Sequence, residues 1–500
     1  MRKSATMVAV PVAVFIAATA LGWLLLAGAA ARDGQPPLPL PLPHPTVSDY
    51  TQVSTSETPP TEAQCFSVGR RCFAPQAIRN SYNVGPLYAQ GLDGSGQTIA
   101  VIDSFGSDTI AHDLHVYDQQ FGLPAMCGEE GVSCAPGMPT FSQLAIQGSP
   151  PTNASPPKSN GTGQESHTLW ALETTLDVET AHAMAPGANV LLVTTPTAET
   201  LGVQGFPQMI QAEQYVVDHH LATVISQSLG AAEESFGSTA SLQSLRGAFV
   251  SAAANGVSVL ASSGDGGTAN TVKEPVKTPQ TIPFPTVEWP ASDPLVTAVG
   301  GTYLCTDPIT GTSVDSVDPP AACVSNPGQR EVAWIDAGGG FSHVFAKPSY
   351  QDVLPLDSTA IGANRGVPDI ALQASSRTGA LIYISLPPDG NSGLICGSAP
   401  CSTGWYDIGG TSLASPQWAA LVAIGDQLNH GGLGLINPAL YKLAANGASY
   451  GADFYDVTVG NNQANPTIPG YPATTGWDPV TGLGTPNAAN LVPDLVAASH

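Results

Sequence analysis

Short apolar, β-branched runs alternate with helical stretches through the middle of this chain, and that alternation restricts the folds open to it. Thr98 to Ile102, Val190 to Val193, Thr223 to Ile225 and Val257 to Ala261 read as buried strands. Between them lie helical stretches at Leu169 to Met184, Met209 to His219, and Leu242 to Asn255, the last stopped by Gly256. Parallel strands need crossover connections, so the expected fold is α/β: a doubly wound, mostly parallel sheet with helices on both faces. One large domain from Pro75 to the C-terminus (75–500) accommodates the pattern. The Pro-rich stretch Pro275 to Pro290 and the segment after Asn461 are expected to be loops.

A second feature points to chemistry. Gly409-Gly410-Thr411-Ser412-Leu413-Ala414-Ser415-Pro416 follows the mostly apolar run Trp405 to Ile408 and opens a helical run, Gln417 to Leu428. The glycines allow a sharp strand-to-helix bend, and Pro416 suits a first helical turn, where its missing N–H costs nothing. A serine there presents its oxygen at a helix N-terminus, where N–H groups and the dipole favour developing negative charge. Ser412 is the candidate nucleophile; helix capping by Ser412 or Ser415 is the plainer alternative.

Three acids keep it company. Glu173 and Asp177 are four residues apart and share one face of a helix flanked by Leu172, Leu176, Val178 and Ala181. Two carboxylates held close in a half-buried place share a proton, which raises one pKa and leaves the other group ionised. Such a pair can supply a general base in acid; a solvated acidic helix face is the plainer alternative. Asp265, in Ser262-Ser263-Gly264-Asp265-Gly266-Gly267, follows a strand at the end where α/β sheets bind ligands. Kept neutral, its carboxyl can donate a hydrogen bond to an oxyanion; organising a turn among glycines is its plainer role.

These segments, in this order, resemble the sedolisin family of serine-carboxyl peptidases over most of the chain from about Pro75. The resemblance extends to Thr297-Ala-Val-Gly-Gly-Thr302, Gly338-Gly-Gly-Phe-Ser342, Val367-Pro-Asp-Ile370 and Asn437-Pro-Ala-Leu-Tyr441. It implies a subtilisin-like fold and peptide-bond cleavage in acid. It makes Ser412 the nucleophile, Glu173 its general base, Asp177 the residue that orients Glu173, and Asp265 part of the oxyanion hole. Asp456-Val457-Thr458 and Thr474-Thr475-Gly476-Trp477-Asp478 resemble the family's calcium loop. By that match one structural Ca2+ is expected, held by the side chains of Asp456 and Asp478 and the carbonyls of Val457, Thr474 and Gly476, an oxygen cage of the kind calcium prefers. Thr474 stands where the family usually has Gly, and Leu229 where an aromatic is common.

Acidic residues number 39 against 15 basic ones, for a formal charge of −24. So few cations argue against nucleic acid or an anionic membrane as partner. The expected partner is a protein or peptide substrate, met by a monomer. Residues 1–31 carry a basic start, an apolar run from Val8 and small residues before Arg32, the pattern of a secretory signal peptide. The run is long enough that an N-terminal anchor is the alternative reading; either way the chain is exported. The eight cysteines fall in close pairs, Cys65/Cys72, Cys127/Cys134, Cys305/Cys323 and Cys396/Cys401, which in an oxidising compartment suggests local disulfides. Residues 32–74 read as a Pro/Ser/Thr-rich linker ending in the small Cys65/Cys72 loop.

That linker departs from the large folded propeptide usual in the family. Either the chain folds unaided or a separate propeptide-like helper assists it. Two rivals follow: a subtilisin-type peptidase using Asp103, His167 and Ser412, and a secreted binding protein that keeps the fold without activity.

Overall fold

The computed structural model describes residues 44–45, 49–147, 163–196, 205–272, 280–305, 321–386, 393–396 and 399–500, with backbone alone at a few of their edges. The N-terminal signal or anchor segment lies outside them. From edge to edge, the main sheet runs Glu331–Ala333, Thr297–Leu304, Ser258–Ser262, Val224–Gln227, Thr98–Ser104, Asn189–Thr195 and Phe141–Ala145. Ile370–Gln373 adds a further strand beside Thr297–Leu304. All pairings are parallel except that of Glu331–Ala333. The inner strands are buried on both faces, which is why they read as continuous apolar runs without alternation.

Helices cover both faces, as the alternation requires. Gly205–Asp218 and Gly247–Ala254 pack on one side with an apolar layer of Phe206, Met209, Val216, Phe249 and Trp289. Gly163–Met184 and Thr411–Asn429 pack against each other on the other side. Thr411–Asn429 is buried along its length from Thr411 to Asp426, and the Trp418 indole N–H donates to the carbonyl of Ala371 (2.9 Å), pinning the helix to the sheet. The chain is an α/β fold of the expected doubly wound, mostly parallel kind.

Several boundaries differ from the sequence expectations. The stretch Leu242 to Asn255 is two helices, Thr239–Gln243 and Gly247–Ala254, parted where Arg246 turns to pair with Asp293 (2.5 Å). The segment after Asn461, expected as loop, ends in the helix Ala488–Ala498, whose Leu491, Val492 and Leu495 are buried against Thr411–Asn429. From Asp49 onward the supposed linker is part of the body. Tyr50–Ser54 is a strand that pairs antiparallel with Gly404–Ile408, and Thr61 caps the helix Glu62–Ser67. All four local disulfides form, Cys65–Cys72, Cys127–Cys134, Cys305–Cys323 and Cys396–Cys401. They staple surface loops to a chain with few ion pairs.

Candidate active site

The turn before Ser412 admits only glycine. Gly410 has φ 122°, a region that L side chains rarely adopt, and its N–H donates to Ala374 O (2.6 Å). A Cβ on Gly409 would run into the backbone of Ser376 and Ala374. The chain can therefore pass hard against the 374–376 loop and enter a helix at Thr411, leaving Ser412 in the first turn, fully buried, with the helix dipole behind it.

Asp265 meets this turn from the end of Ser258–Ser262. Its Oδ1 accepts hydrogen bonds from the Thr411 N–H (2.8 Å) and the Thr411 hydroxyl (2.9 Å). The same hydroxyl accepts from the Gly264 N–H (3.0 Å), so the residue before Ser412 is tied to the Asp265 loop at two points. A carboxyl that accepts through Oδ1 carries its proton on Oδ2 when neutral.

Glu173 and Asp177 lie on the face of Gly163–Met184 turned to the nucleophile's helix, both fully buried. Ser228, at the end of Val224–Gln227, bridges the two helices: its hydroxyl contacts Asp177 Oδ1 (2.9 Å) and the carbonyl of Ser412 (3.4 Å). Burial pushes the Asp177 carboxyl well above the ordinary carboxylate range, and the charges of Asp103 and Glu173 push the same way. Asp103, at the end of Thr98–Ser104, is also fully buried and raised to about 7 by desolvation, with the Thr174 hydroxyl opposing. Asp177, Asp103 and Glu173 thus form one buried acid cluster whose titrations are coupled.

Two participants escaped the sequence reading. Asp103, which the sequence offers only as the acid of a His-based triad, joins the carboxylate cluster on Gly163–Met184. The signal was available: an acid at the C-terminal end of a parallel strand is at the ligand-binding end of the sheet. His167, the proposed base of that rival, has its backbone in the same helix and its side chain outside the described residues. Ser228 carried no signal beyond its place in Ser226-Gln-Ser-Leu-Gly230.

Asp456 and Asp478 come together near the C-terminus. Asp456 Oδ2 accepts the Gly476 N–H (3.0 Å) and Asp478 Oδ2 the Thr474 N–H (3.0 Å), so both arms of the loop close on the two acids. Asp456 Oδ1 is buried with no hydrogen-bond partner, and burial pushes Asp478 up to about 7. An all-oxygen set with an unsatisfied buried carboxylate oxygen suits a hard cation. Among the described residues no group of three His, Cys, Asp or Glu side chains gathers to hold a metal, so backbone carbonyls would have to complete any cage.

Comparison with known proteins identifies the family to which this fold belongs. The subtilase family model matches residues 159–439. Kumamolisin of Bacillus sp. (strain MN-32) is 31% identical over 449 residues, covering 88% of this chain and 66% of its own length. Sedolisin of Pseudomonas sp. (strain 101) is 34% identical over 283 residues, 57% of this chain and 42% of its own. The solved structure of Pseudomonas sedolisin complexed with two molecules of pseudo-iodotyrostatin superposes with TM-score 0.60 at 28% identity, covering 85% of this chain and 98% of that one. Fold and site thus define a subtilase. Within that class, the chain belongs to the sedolisin family of serine-carboxyl peptidases. It spans less than two thirds of the length of these two curated relatives.

Proposed function

We propose that the chain is a secreted, acid-active serine peptidase that cleaves peptide bonds through a Ser412 acyl-enzyme. The observation that carries this reading is the double tether on Thr411–Ser412. Asp265 holds the residue before the nucleophile, and Ser228 joins the nucleophile's own carbonyl to Asp177. In this scheme the Ser412 hydroxyl oxygen attacks the peptide carbonyl carbon while its proton passes to Glu173. Protonated Asp177 acts as the positioning residue that donates toward Glu173 and keeps it the ionised member of the cluster. Asp103 adds a second buried proton store behind it. The carbonyl oxygen becomes an oxyanion, met by the Asp265 O–H and the N–H groups of the helix's first turn. Collapse breaks the C–N bond, and the leaving amine takes the proton from Glu173. Water then attacks the acyl-enzyme by the reverse route and frees Ser412.

Acid suits this set. A histidine base would be protonated there, whereas a carboxylate with a pKa of about 4 stays partly ionised. Hydrolysis measured from pH 2 to 8 is expected to peak near ~pH 3–5 and to vanish in Ser412→Ala. A neutral or alkaline optimum sinks the carboxylate mechanism. Activity that survives Ser412→Ala removes the nucleophile.

Calcium belongs to the same proposal as a structural ion. Asp456 and Asp478 would bind it through carboxylates and Val457, Thr474 and Gly476 through carbonyls; its charge would neutralise two buried acids and fasten the loop. At a hundredfold excess over Kd such an ion adds about 2.7 kcal/mol. Chelation is therefore expected to lower Tm by several degrees, reversibly on adding Ca2+, and to have no such effect on Asp478→Asn. A wild-type Tm indifferent to chelator removes the site.

A further inference from the structure

Beside the Ser412 turn lies a cavity of about 480 Å3 that the catalytic scheme does not use. Trp334 and Tyr303 contribute aromatic wall, and Asp49, Asp336, Ser376 and Arg377 a polar rim. Its walls are built on the two loops that form the oxyanion site. On one side, Ser376 abuts Gly409, and the Asp49 carbonyl accepts the Gly409 N–H (3.2 Å). On the other, the Asp336 carbonyl accepts the Gly267 N–H (2.7 Å), and the Gly338 N–H donates to Gly264 O (2.7 Å), either side of Asp265. A side chain in the cavity would therefore lie within a few residues of the reacting carbonyl.

The chain's own N-terminal arm gives the direction. His44–Pro45 pairs antiparallel with Gly230 and Leu229, next to Ser228, and Asp49 then reaches the cavity. Antiparallel addition to a strand edge is how extended peptides commonly bind. A substrate that displaces His44–Pro45 and docks on Leu229–Gly230 in the same orientation carries its C-terminal continuation, the leaving-group side, toward the cavity.

The rim chemistry gives the class of side chain. Asp49 is held in place by Arg70 (2.8 Å) and by the Ser376 hydroxyl. Asp336 is raised above the ordinary carboxylate range, first by burial and then by the charge of Asp49, which outweighs the opposing charge of Arg377. A further cation, beyond Arg70 and Arg377, between the two acids relieves that repulsion. The indole of Trp334 offers a face on which a guanidinium or an aliphatic stem can lie.

We propose that this cavity is the leaving-group-side subsite of the enzyme and that it takes a basic side chain, arginine or lysine, of the peptide substrate. The assignment rests on the peptidase reading above.

Matched octapeptides carrying Arg, Gln or Glu at the first or second position after the cleaved bond provide the test. The wild-type chain is expected to show kcat/KM at least about tenfold higher for Arg than for Gln at one of those positions. Asp336→Lys is expected to abolish that preference and to raise the relative rate of the Glu peptide, a reversal that a merely structural role would not produce. Equal rates for Arg and Gln in the wild type overturn the proposal, as does a preference that Asp336→Lys leaves intact. If no peptide is cleaved, the peptidase reading fails separately, and calorimetric binding of the same peptides to Ser412→Ala decides the subsite. Tighter binding of the Arg peptide sustains it; equal Kd values overturn it.

Discussion

Replacing Glu173 by glutamine is expected to cut kcat by about 10^4 or more at the acid optimum, the scale seen when a member of a catalytic triad is removed. The amide keeps the size of the carboxyl but accepts no proton, so Ser412 has no base to attack with. Glu173 sits in the same fully buried cluster as Asp177 and Asp103, so no solvent carboxylate replaces it. In the proposed mechanism Asp177 acts through Glu173, so adding Asp177→Asn to Glu173→Gln is expected to cost little more than Glu173→Gln alone. Ser228→Ala, which cuts the bridge between Asp177 and the Ser412 carbonyl, is expected to lower kcat more than it changes KM. Single-turnover assays at fixed acid pH, with circular dichroism to confirm folding, read these three variants and His167→Ala. A His-based triad predicts the opposite pattern: Glu173→Gln active and His167→Ala dead.

The parts of this site that the sequence disclosed are the parts written in short contiguous segments. The turn at Ser412 is legible because a backbone squeezed against Ser376 and Ala374 leaves a Gly-Gly signature. Glu173 and Asp177 are legible because helical spacing puts them on one face. Ser228 and Asp103 are not, because their roles come from distant strands of one sheet converging at the same end. The strand Tyr50–Ser54 was equally hidden: its residues look like linker until Gly404–Ile408 supplies the partner backbone. The closing helix Ala488–Ala498 contains Pro493, a residue that disfavours a helix interior, and it gains its stability from burying Leu491, Val492 and Leu495. Tertiary pairing decided both.

Folding stability is expected to be greatest in acid and to fall as the pH rises toward 7, because carboxyls far from the site are buried with too few partners. Asp426 is fully buried near the C-terminal end of Thr411–Asn429. Its Oδ1 accepts the Leu433 N–H (2.8 Å) and its Oδ2 has no hydrogen-bond partner. Burial pushes it up to about 7. An unfolded aspartate titrates near ~4, so between about pH 4 and 7 the unfolded chain has lost this proton while the folded chain still holds it. The free energy of unfolding then falls by about 1.4 kcal/mol per pH unit, roughly 4 kcal/mol across the window, and changes little below it. Asp113 and Asp118, pushed up to about 6 chiefly by burial, act with the same sign, as does Glu213, whose carboxyl is buried among apolar side chains with neither oxygen hydrogen-bonded. Against a typical total of 5–15 kcal/mol, a few such groups make up a substantial fraction of the stability. Asp426→Asn keeps an acceptor for Leu433 and removes the titration, so it is expected to flatten the fall in Tm between pH 4 and 7 and to raise Tm at pH 7. Wild-type and variant curves that run parallel would exclude Asp426 as a source of the slope, and Glu213→Gln tests the second site independently. Asp426 lies fourteen residues along the helix from Ser412, roughly 21 Å at 1.5 Å per residue. A variant that stays folded at pH 7 yet remains inactive there shows that the alkaline loss of activity arises in the carboxyls around Ser412, where Asp265 must keep its proton to donate; one that regains activity shows that the fold was failing first.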